Sequence, residues 1–231
     1  MILLDLNKLG NIEQATFLER PNRFKSICEK DGKTITCHVA DPGRLKEIFI
    51  KGRKVFIIKN KPGLKTDYKI IAVEVENEIV LLNTSLHSKI GEEAIKKGVL
   101  GFKVKDLKRE VKYGKSRIDY LVNKDTFVEL KGSNLLIDNK CLFPDAPTER
   151  GSRHLEELIK AVKEGYKGII LFMMLRNCKC FLPYKDMDKK FYQSFKKALN
   201  NGVEFKGFKI KVEKDFKVKL VENINICKDF S

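Results

Sequence analysis

Residues 116–132 read Ser116-Arg117-Ile118-Asp119-Tyr120-Leu121-Val122, a turn at Asn123-Lys124-Asp125, and then, after Thr126, Phe127-Val128-Glu129-Leu130-Lys131-Gly132. Successive side chains on a strand point to opposite faces, so Glu129 and Lys131 share one face while Val128 and Leu130 take the other. If Arg117–Val122 is the antiparallel neighbour, Asp119 reaches the charged face, and two carboxylates and an ammonium meet beside an apolar layer. Hard carboxylate oxygens hold Mg²⁺ or Mn²⁺, such an ion acidifies a water, and a lysine orients that water and offsets phosphate charge. Asp followed ten residues later by Glu-x-Lys also fits a solvated hairpin edge, so the flanking segments decide between the readings.

Upstream, Leu86–Lys97 reads as a helix that carries Glu92 and Glu93 and stops at Gly98, and Glu110–Tyr113 as a strand before a turn at Gly114. Downstream, Phe143-Pro144-Asp145-Ala146-Pro147-Thr148-Glu149-Arg150-Gly151 leads into a helix over Glu149–Glu164, with Thr148 placed to cap it. Leu155, Leu158, Ile159 and Val162 recur at i, i+3, i+4 and i+7 and give that helix one buried stripe. Its first turns present backbone N–H groups and the positive end of the dipole. Arg150 and His154, four apart, share a face there, as do Glu149 and Arg153. Arg150, Arg153 and His154 are therefore candidate phosphate contacts, against the plainer reading of a capped helix with surface ion pairs. Gly168–Leu175 is a continuous apolar run suited to a strand covered on both faces. A helix over Asp188–Leu199 and strands over Val203–Ile210 and Phe216–Val221 complete an α/β second domain, residues 84–231.

The first domain, residues 1–83, reads differently. Phe24–Cys28, Thr34–Val39, Lys54–Ile58, Tyr68–Val75 and Ile79–Leu82 are strand-like and are separated by Asp31-Gly32, Asp41-Pro42-Gly43, Lys51-Gly52 and Lys61-Pro62-Gly63. Five short strands in so little chain suggest a small OB-like barrel, making the whole chain α+β. Between Arg20 and Lys65 stand 13 basic and 4 acidic residues, a local surplus of 9. Arg20, Arg23, Arg44 and Arg53 are candidate phosphate contacts, and Phe24 or Phe49 can stack a base, although burial in the barrel is the more ordinary fate of each.

The chain has 231 residues, 47 of them basic and 31 acidic, for a formal charge of +16. Such a surplus repels itself unless a polyanion or salt offsets it, which makes nucleic acid the leading partner class. Lysine enrichment with only Gln14 and Gln193 also fits high-temperature adaptation. No apolar run is long enough to span a bilayer, and Met1–Leu9 is too short and too polar for a signal peptide, so no membrane partner and a cytoplasmic location are expected. Cys28, Cys37, Cys141, Cys178, Cys180 and Cys227 show no C-x-x-C and no zinc spacing with His38, His87 or His154, and are expected to be mostly buried, reduced thiols. No nucleotide-binding glycine loop and no Ser/His/Asp or Cys/His arrangement with recognisable flanks is present.

The blocks Glu19-Arg20-Pro21-Asn22-Arg23-Phe24, His38-Val39-Ala40-Asp41-Pro42-Gly43-Arg44-Leu45, Leu82-Asn83-Thr84, Ser116-Arg117-Ile118-Asp119, Val128-Glu129-Leu130-Lys131 and Phe143 to Gly151 together resemble the sugar fermentation stimulation protein A (SfsA) family. The resemblance implies an N-terminal OB-like domain and a C-terminal domain of the PD-(D/E)XK nuclease-like fold. It places Asp119, Glu129 and Lys131 on the nuclease motif and Glu93 on the acidic residue of the preceding helix. Catalysis would then fall to Glu93, Asp119, Glu129 and Lys131, with Glu93, Asp119 and Glu129 as ligands of Mg²⁺ or Mn²⁺. Ile118 stands where the motif has proline, which removes no ligand. The expected function is DNA binding with a metal-dependent nuclease-type site. The alternative is a non-catalytic DNA-binding regulator of sugar (maltose) metabolism, and RNA remains open as a partner.

Overall fold

A computed structural model describes residues 1–230. The chain forms two compact units, the first of Met1–His87 with Ile210–Leu220 and the second of Ser88–Lys209 with residues 221–230. The return of Ile210–Leu220 to the first unit differs from the division at residue 83. It follows from strand pairing, because this segment supplies backbone partners to the N-terminal strands.

The first unit contains strands β1 (Ile2–Asp5), β2 (Ile12–Asn22), β3 (Lys25–Lys30), β4 (Lys33–Val39), β5 (Lys54–Lys59), β6 (Tyr68–Val75) and β7 (Glu78–Leu81). The order β4-β3-β2-β5-β6 closes on itself through a parallel β4–β6 pairing that joins Cys37–Val39 to Tyr68–Ile70. Five strands thus make a closed barrel, which removes free edges. The barrel uses β2, the longest strand, in place of the expected contribution from β7, which pairs outside the ring with β6. Ile2 pairs with Lys219, and Ile79 with Val212, so the returning segment adds to this unit. Alternation sets the barrel interior: Cys28, Val55, Ile57, Ile70 and Ala72 have no solvent exposure.

The second unit begins with helix α1 (His87–Lys96), which straddles the boundary, followed by β8 (Leu107–Tyr113), β9 (Ser116–Val122) and β10 (Thr126–Ser133). Next come β11 (Leu135–Ile137), β12 (Lys140–Phe143), α2 (Glu149–Lys163), β13 (Lys167–Met174), β14 (Cys180–Pro183), α3 (Lys189–Asn200), β15 (Glu204–Val212) and β16 (Lys217–Asn223), the last two of which include residues of the Ile210–Leu220 segment counted in the first unit. The order β15-β13-β10-β9-β8 has β13 parallel to both β10 and β15, with β9 and β8 antiparallel. Strand β13 is buried from Gly168 to Met174, as its unbroken apolar run requires. Thr148 caps α2 by accepting the Gly151 N–H at 3.1 Å, and Asp188 caps α3 by accepting the Phe191 N–H at 2.9 Å. Leu155, Leu158 and Ile159 of α2 and Phe191 and Phe195 of α3 bury against Phe172, Phe181 and Ile118. On the other face of β10, Gly91 of α1 meets Leu130 and Tyr120 so closely that a Cβ there would lie 2.6 Å from the Leu130 side chain. The Tyr120 hydroxyl donates to the Ser88 carbonyl at 2.5 Å and fixes α1 over the sheet.

The cysteines correct the expectation of reduced thiols. Cys141–Cys178 and Cys180–Cys227 are disulfides, with Cα–Cα separations of 5.5 and 5.0 Å, and only Cys28 and Cys37 are free. The parallel pairing of β12 with β14 brings Cys141 near Cys178, and the Phe181–Ile226 bridge brings Cys180 to Cys227, from 37 and 47 residues apart, which no local spacing signals.

Candidate active site

The β9–β10 ladder pairs Val122 with Thr126, Leu121 with Phe127 and Tyr120 with Val128. Beyond that point Asp119 intervenes, its Oδ2 accepting the Leu130 N–H at 2.8 Å. The carboxylate of β9 thus lies against the backbone of β10, between Glu129 and Lys131. On β10, Glu129 Oε1 takes the Lys131 ammonium and the His154 Nδ1, so two polar side chains, one from β10 and one from α2, gather at one carboxylate. Lys131 Nζ and His154 Nδ1 are 3.4 Å apart. Arg150 Nε donates to His154 Nε2 at 3.3 Å, which assigns the Nδ1 proton to the hydrogen bond with Glu129.

Glu129 is 1 % exposed. Burial alone would raise its carboxyl, but the Lys131 charge and the His154 hydrogen bond outweigh it and hold the group below the usual glutamate range. Asp119 goes the opposite way. Burial and the neighbouring Glu129 charge push it up to about 7, against a smaller opposing pull from Lys131 and the Leu130 N–H. Two carboxylates forced together with pKa values driven apart mark a place where a further positive charge would be favourable. The second oxygen of Glu129, Oε2, is buried with no hydrogen-bond partner. A buried carboxylate oxygen left unmatched, beside a second carboxylate that resists ionisation, fits a hard divalent cation as the missing partner. Asp119 and Glu129 would hold it.

Glu93 stands apart from this pair. Its carboxylate engages Lys96 at 3.2 Å along α1, while Glu92 bonds Lys96 at 2.7 Å and Arg109 at 3.4 Å. Among the described residues no three of His, Cys, Asp or Glu are arranged to hold a metal ion, the expected Glu93, Asp119 and Glu129 included. In the helix motif, His154 is buried against Glu129, Arg150 touches His154, and Glu149 and Arg153 are exposed. The link from His154 to Glu129 was not legible from spacing, since it depends on how α2 lies on β10.

In the barrel unit, Arg20 hydrogen-bonds the carbonyls of Gly43, Arg44, Arg23 and Asp41 at 2.7–2.9 Å and lies 5.1 Å from the Phe49 ring centre. Arg53 likewise donates to the Glu47 and Ile48 carbonyls. Both guanidinium groups anchor the Asp41–Ile50 loop. Arg23 and Arg44 are exposed. Phe49 packs on Phe17 with centroids 4.9 Å apart, whereas Phe24 is 54 % exposed.

Two family models match this chain: the SfsA N-terminal OB domain over residues 18–82 and the sugar fermentation stimulation protein RE domain over residues 85–216. The chain belongs to the sugar fermentation stimulation protein family. The SfsA homologue of Sulfolobus acidocaldarius is 43% identical over 214 residues, covering 91% of this chain and 88% of that protein. The homologue of Pyrobaculum arsenaticum is 40% identical over 205 residues, covering 86% of this chain and 87% of that protein. Among solved structures, Pyrococcus furiosus SfsA in complex with Ca²⁺ is similar with a TM-score of 0.87 and 31% identity, covering 98% of this chain and 99% of that one. The SfsA assignment agrees with the barrel-then-α/β order built above.

Proposed function

We propose that this protein binds DNA and hydrolyses phosphodiester bonds at Asp119 and Glu129 with a divalent cation, Mg²⁺ or Mn²⁺. The observation that carries this reading is the pair itself: a buried Glu129 with an unpartnered Oε2, and an Asp119 whose carboxyl is pushed up to about 7 by burial and by that neighbour. The Ca²⁺ in the related Pyrococcus furiosus structure supports a divalent ion in this family. Such an ion would supply an acidified water and positive charge at the phosphate. The protein's own groups do the rest. His154 and Lys131 hold Glu129 ionised and oriented, the Leu130 N–H fixes Asp119, and Lys131 carries a positive charge to the edge of the pair. Arg150, at the first turn of α2, orients the His154 ring and adds charge where a phosphate would approach.

The test is incubation of supercoiled, linear and single-stranded DNA with Mg²⁺, Mn²⁺ or chelator, comparing the native protein with Asp119→Ala and Glu129→Gln. Cleavage that needs the ion and falls at least about 100-fold in both variants supports the reading. Cleavage unchanged by the substitutions contradicts it. Absence of cleavage on every DNA form with either ion favours a non-catalytic DNA-binding regulator of sugar metabolism genes. Matched RNA competitors decide between DNA and RNA.

A further inference from the structure

Cys28 and Cys37 stand apart from the four cysteines joined as disulfides: both are thiols, and neither has any solvent exposure. The β3–β4 hairpin sets their placement, pairing Cys28 with Ile35 and Ser26 with Cys37. Residues opposite one another share a face of the sheet, and so do residues two apart on one strand. Ser26, Cys28 and Cys37 therefore project together into the barrel, with the two cysteines as diagonal neighbours. The thiols are hydrogen-bonded to each other. Ser26, also without exposure, places its Oγ 3.9 Å from Cys28 Sγ and donates to the Cys37 carbonyl at 3.5 Å. Among the described residues the other polar side chains buried in this unit are Asp41 and Asn83, held in their own loops by the Gly43 and Ser85 N–H groups. The exposed Asp67, whose charge reaches Cys37, is turned to the Thr36 N–H and hydroxyl at 2.8 and 2.7 Å.

Diagonal neighbours across an antiparallel pair lie about 7–8 Å apart, at or beyond the roughly 7 Å within which two cysteines bridge without moving the backbone. The offset keeps this pair as thiols in a chain whose other four cysteines are oxidised. An ion between the sulfurs replaces one short S–S bond with two metal–sulfur bonds and so spans the wider gap. The donors decide which ion. Two sulfurs in an apolar interior offer nothing to Mg²⁺ or Ca²⁺, which take oxygen, and too few ligands to Zn²⁺, which takes four. Soft thiolates select Cu⁺, and this d¹⁰ ion is satisfied by two ligands in line. We infer that the barrel interior is a two-thiolate site for Cu⁺, with Cys28 and Cys37 as its ligands. On binding, both S–H groups release their protons to water and two Cu–S bonds form, with no change of oxidation state. The complex carries one net negative charge, which the Ser26 hydroxyl is placed to offset by turning to Cys28 Sγ. The inference is independent of the reading of Asp119 and Glu129.

The experiment titrates the full chain, its disulfides intact, with Cu⁺ held by bicinchoninate under ascorbate, a reductant that leaves disulfides closed. The folded protein should withdraw one equivalent per chain, the copper X-ray absorption spectrum should show sulfur neighbours only, and excess Mg²⁺ or Zn²⁺ should not displace the ion. Cys28→Ala and Cys37→Ala should each weaken this binding by about 100-fold or more while circular dichroism stays that of the native chain. Because either substitution opens a small void in the barrel, a crystal of the native protein soaked in Ag⁺ gives a second measurement, with an anomalous peak expected between Cys28 Sγ and Cys37 Sγ. Failure of the folded chain to take Cu⁺ from the chelator overturns the inference. So does uptake retained by the double variant, uptake that appears only after the two disulfides are reduced, or silver found elsewhere with none between these sulfurs.

Discussion

The Asp119 carboxylate accepts the Leu130 N–H at 2.8 Å, replacing a backbone partner where the β9–β10 ladder stops. This bond puts an acid from one strand beside Glu129 on the next, and the energetic consequence appears in its pKa, raised from 3.8 to about 7 by burial and by Glu129. In that window the folded protein binds a proton that the unfolded chain has released. Stability of the metal-free protein from this group is therefore full below about pH 4 and is lost as pH rises through about 7, by up to ~4 kcal/mol. Urea midpoints at pH 5 and pH 8 should differ less in Asp119→Asn, which keeps an acceptor for Leu130, than in the native protein. Equal pH dependence in the two would show that Asp119 ionises freely.

Divalent ions should reverse this cost. Added Mn²⁺ should raise the thermal midpoint at pH 8 and raise it less at pH 5.5, where a proton competes for Asp119. A midpoint shift that is independent of pH, or that survives Asp119→Ala with Glu129→Gln, would place the ion elsewhere.

His154 holds Glu129 through Nδ1 and receives Arg150 at Nε2. Its loss should leave Glu129 less well oriented and less readily ionised. His154→Ala is expected to weaken Mn²⁺ binding or cleavage about 10- to 100-fold without changing the salt dependence of DNA binding. A loss of less than twofold would reduce the histidine to a packing role.

Gly91 permits the close approach of α1 to β10. A Cβ there would meet Leu130 Cδ2 at 2.6 Å and the Tyr120 hydroxyl oxygen at 2.7 Å. Gly91→Ala should therefore cost about 1–3 kcal/mol by denaturant unfolding, although alanine is the better helix former by about 1 kcal/mol. Stabilisation by that substitution would contradict the tight packing.

The disulfides close loops of 37 and 47 residues, each worth about 4 kcal/mol on a chain-entropy account. Alkylation of the denatured protein should label two thiols, Cys28 and Cys37, before reduction and six after it, and a reducing agent should lower the thermal midpoint. Six labelled thiols in the untreated protein would refute both bridges.

Much of the fold follows from local pattern. The apolar run of β13, the capping residues Thr148 and Asp188, and the Glu129–Lys131 alternation each carry their structure in a few neighbouring residues. Strand β2 does not, because between Ile12 and Asn22 only Ala15 and Phe17 are buried and Pro21 lies near its end. Its place is set by pairing with β3 and β5 rather than by its own sequence. The anchoring work of Arg20 and Arg53 and the two disulfides likewise depend on long-range register. At the site, the strand-borne Asp119, Glu129 and Lys131 are readable from spacing, while the His154 contact and the separate pairing of Glu93 with Lys96 come from helix placement.

Anomalous scattering from a crystal of this protein soaked in Mn²⁺ tests the central claim most directly. A peak within about 2.0–2.6 Å of an Asp119 oxygen and of Glu129 Oε2 is the predicted result. Density at other carboxylates, with none between these two, would contradict it.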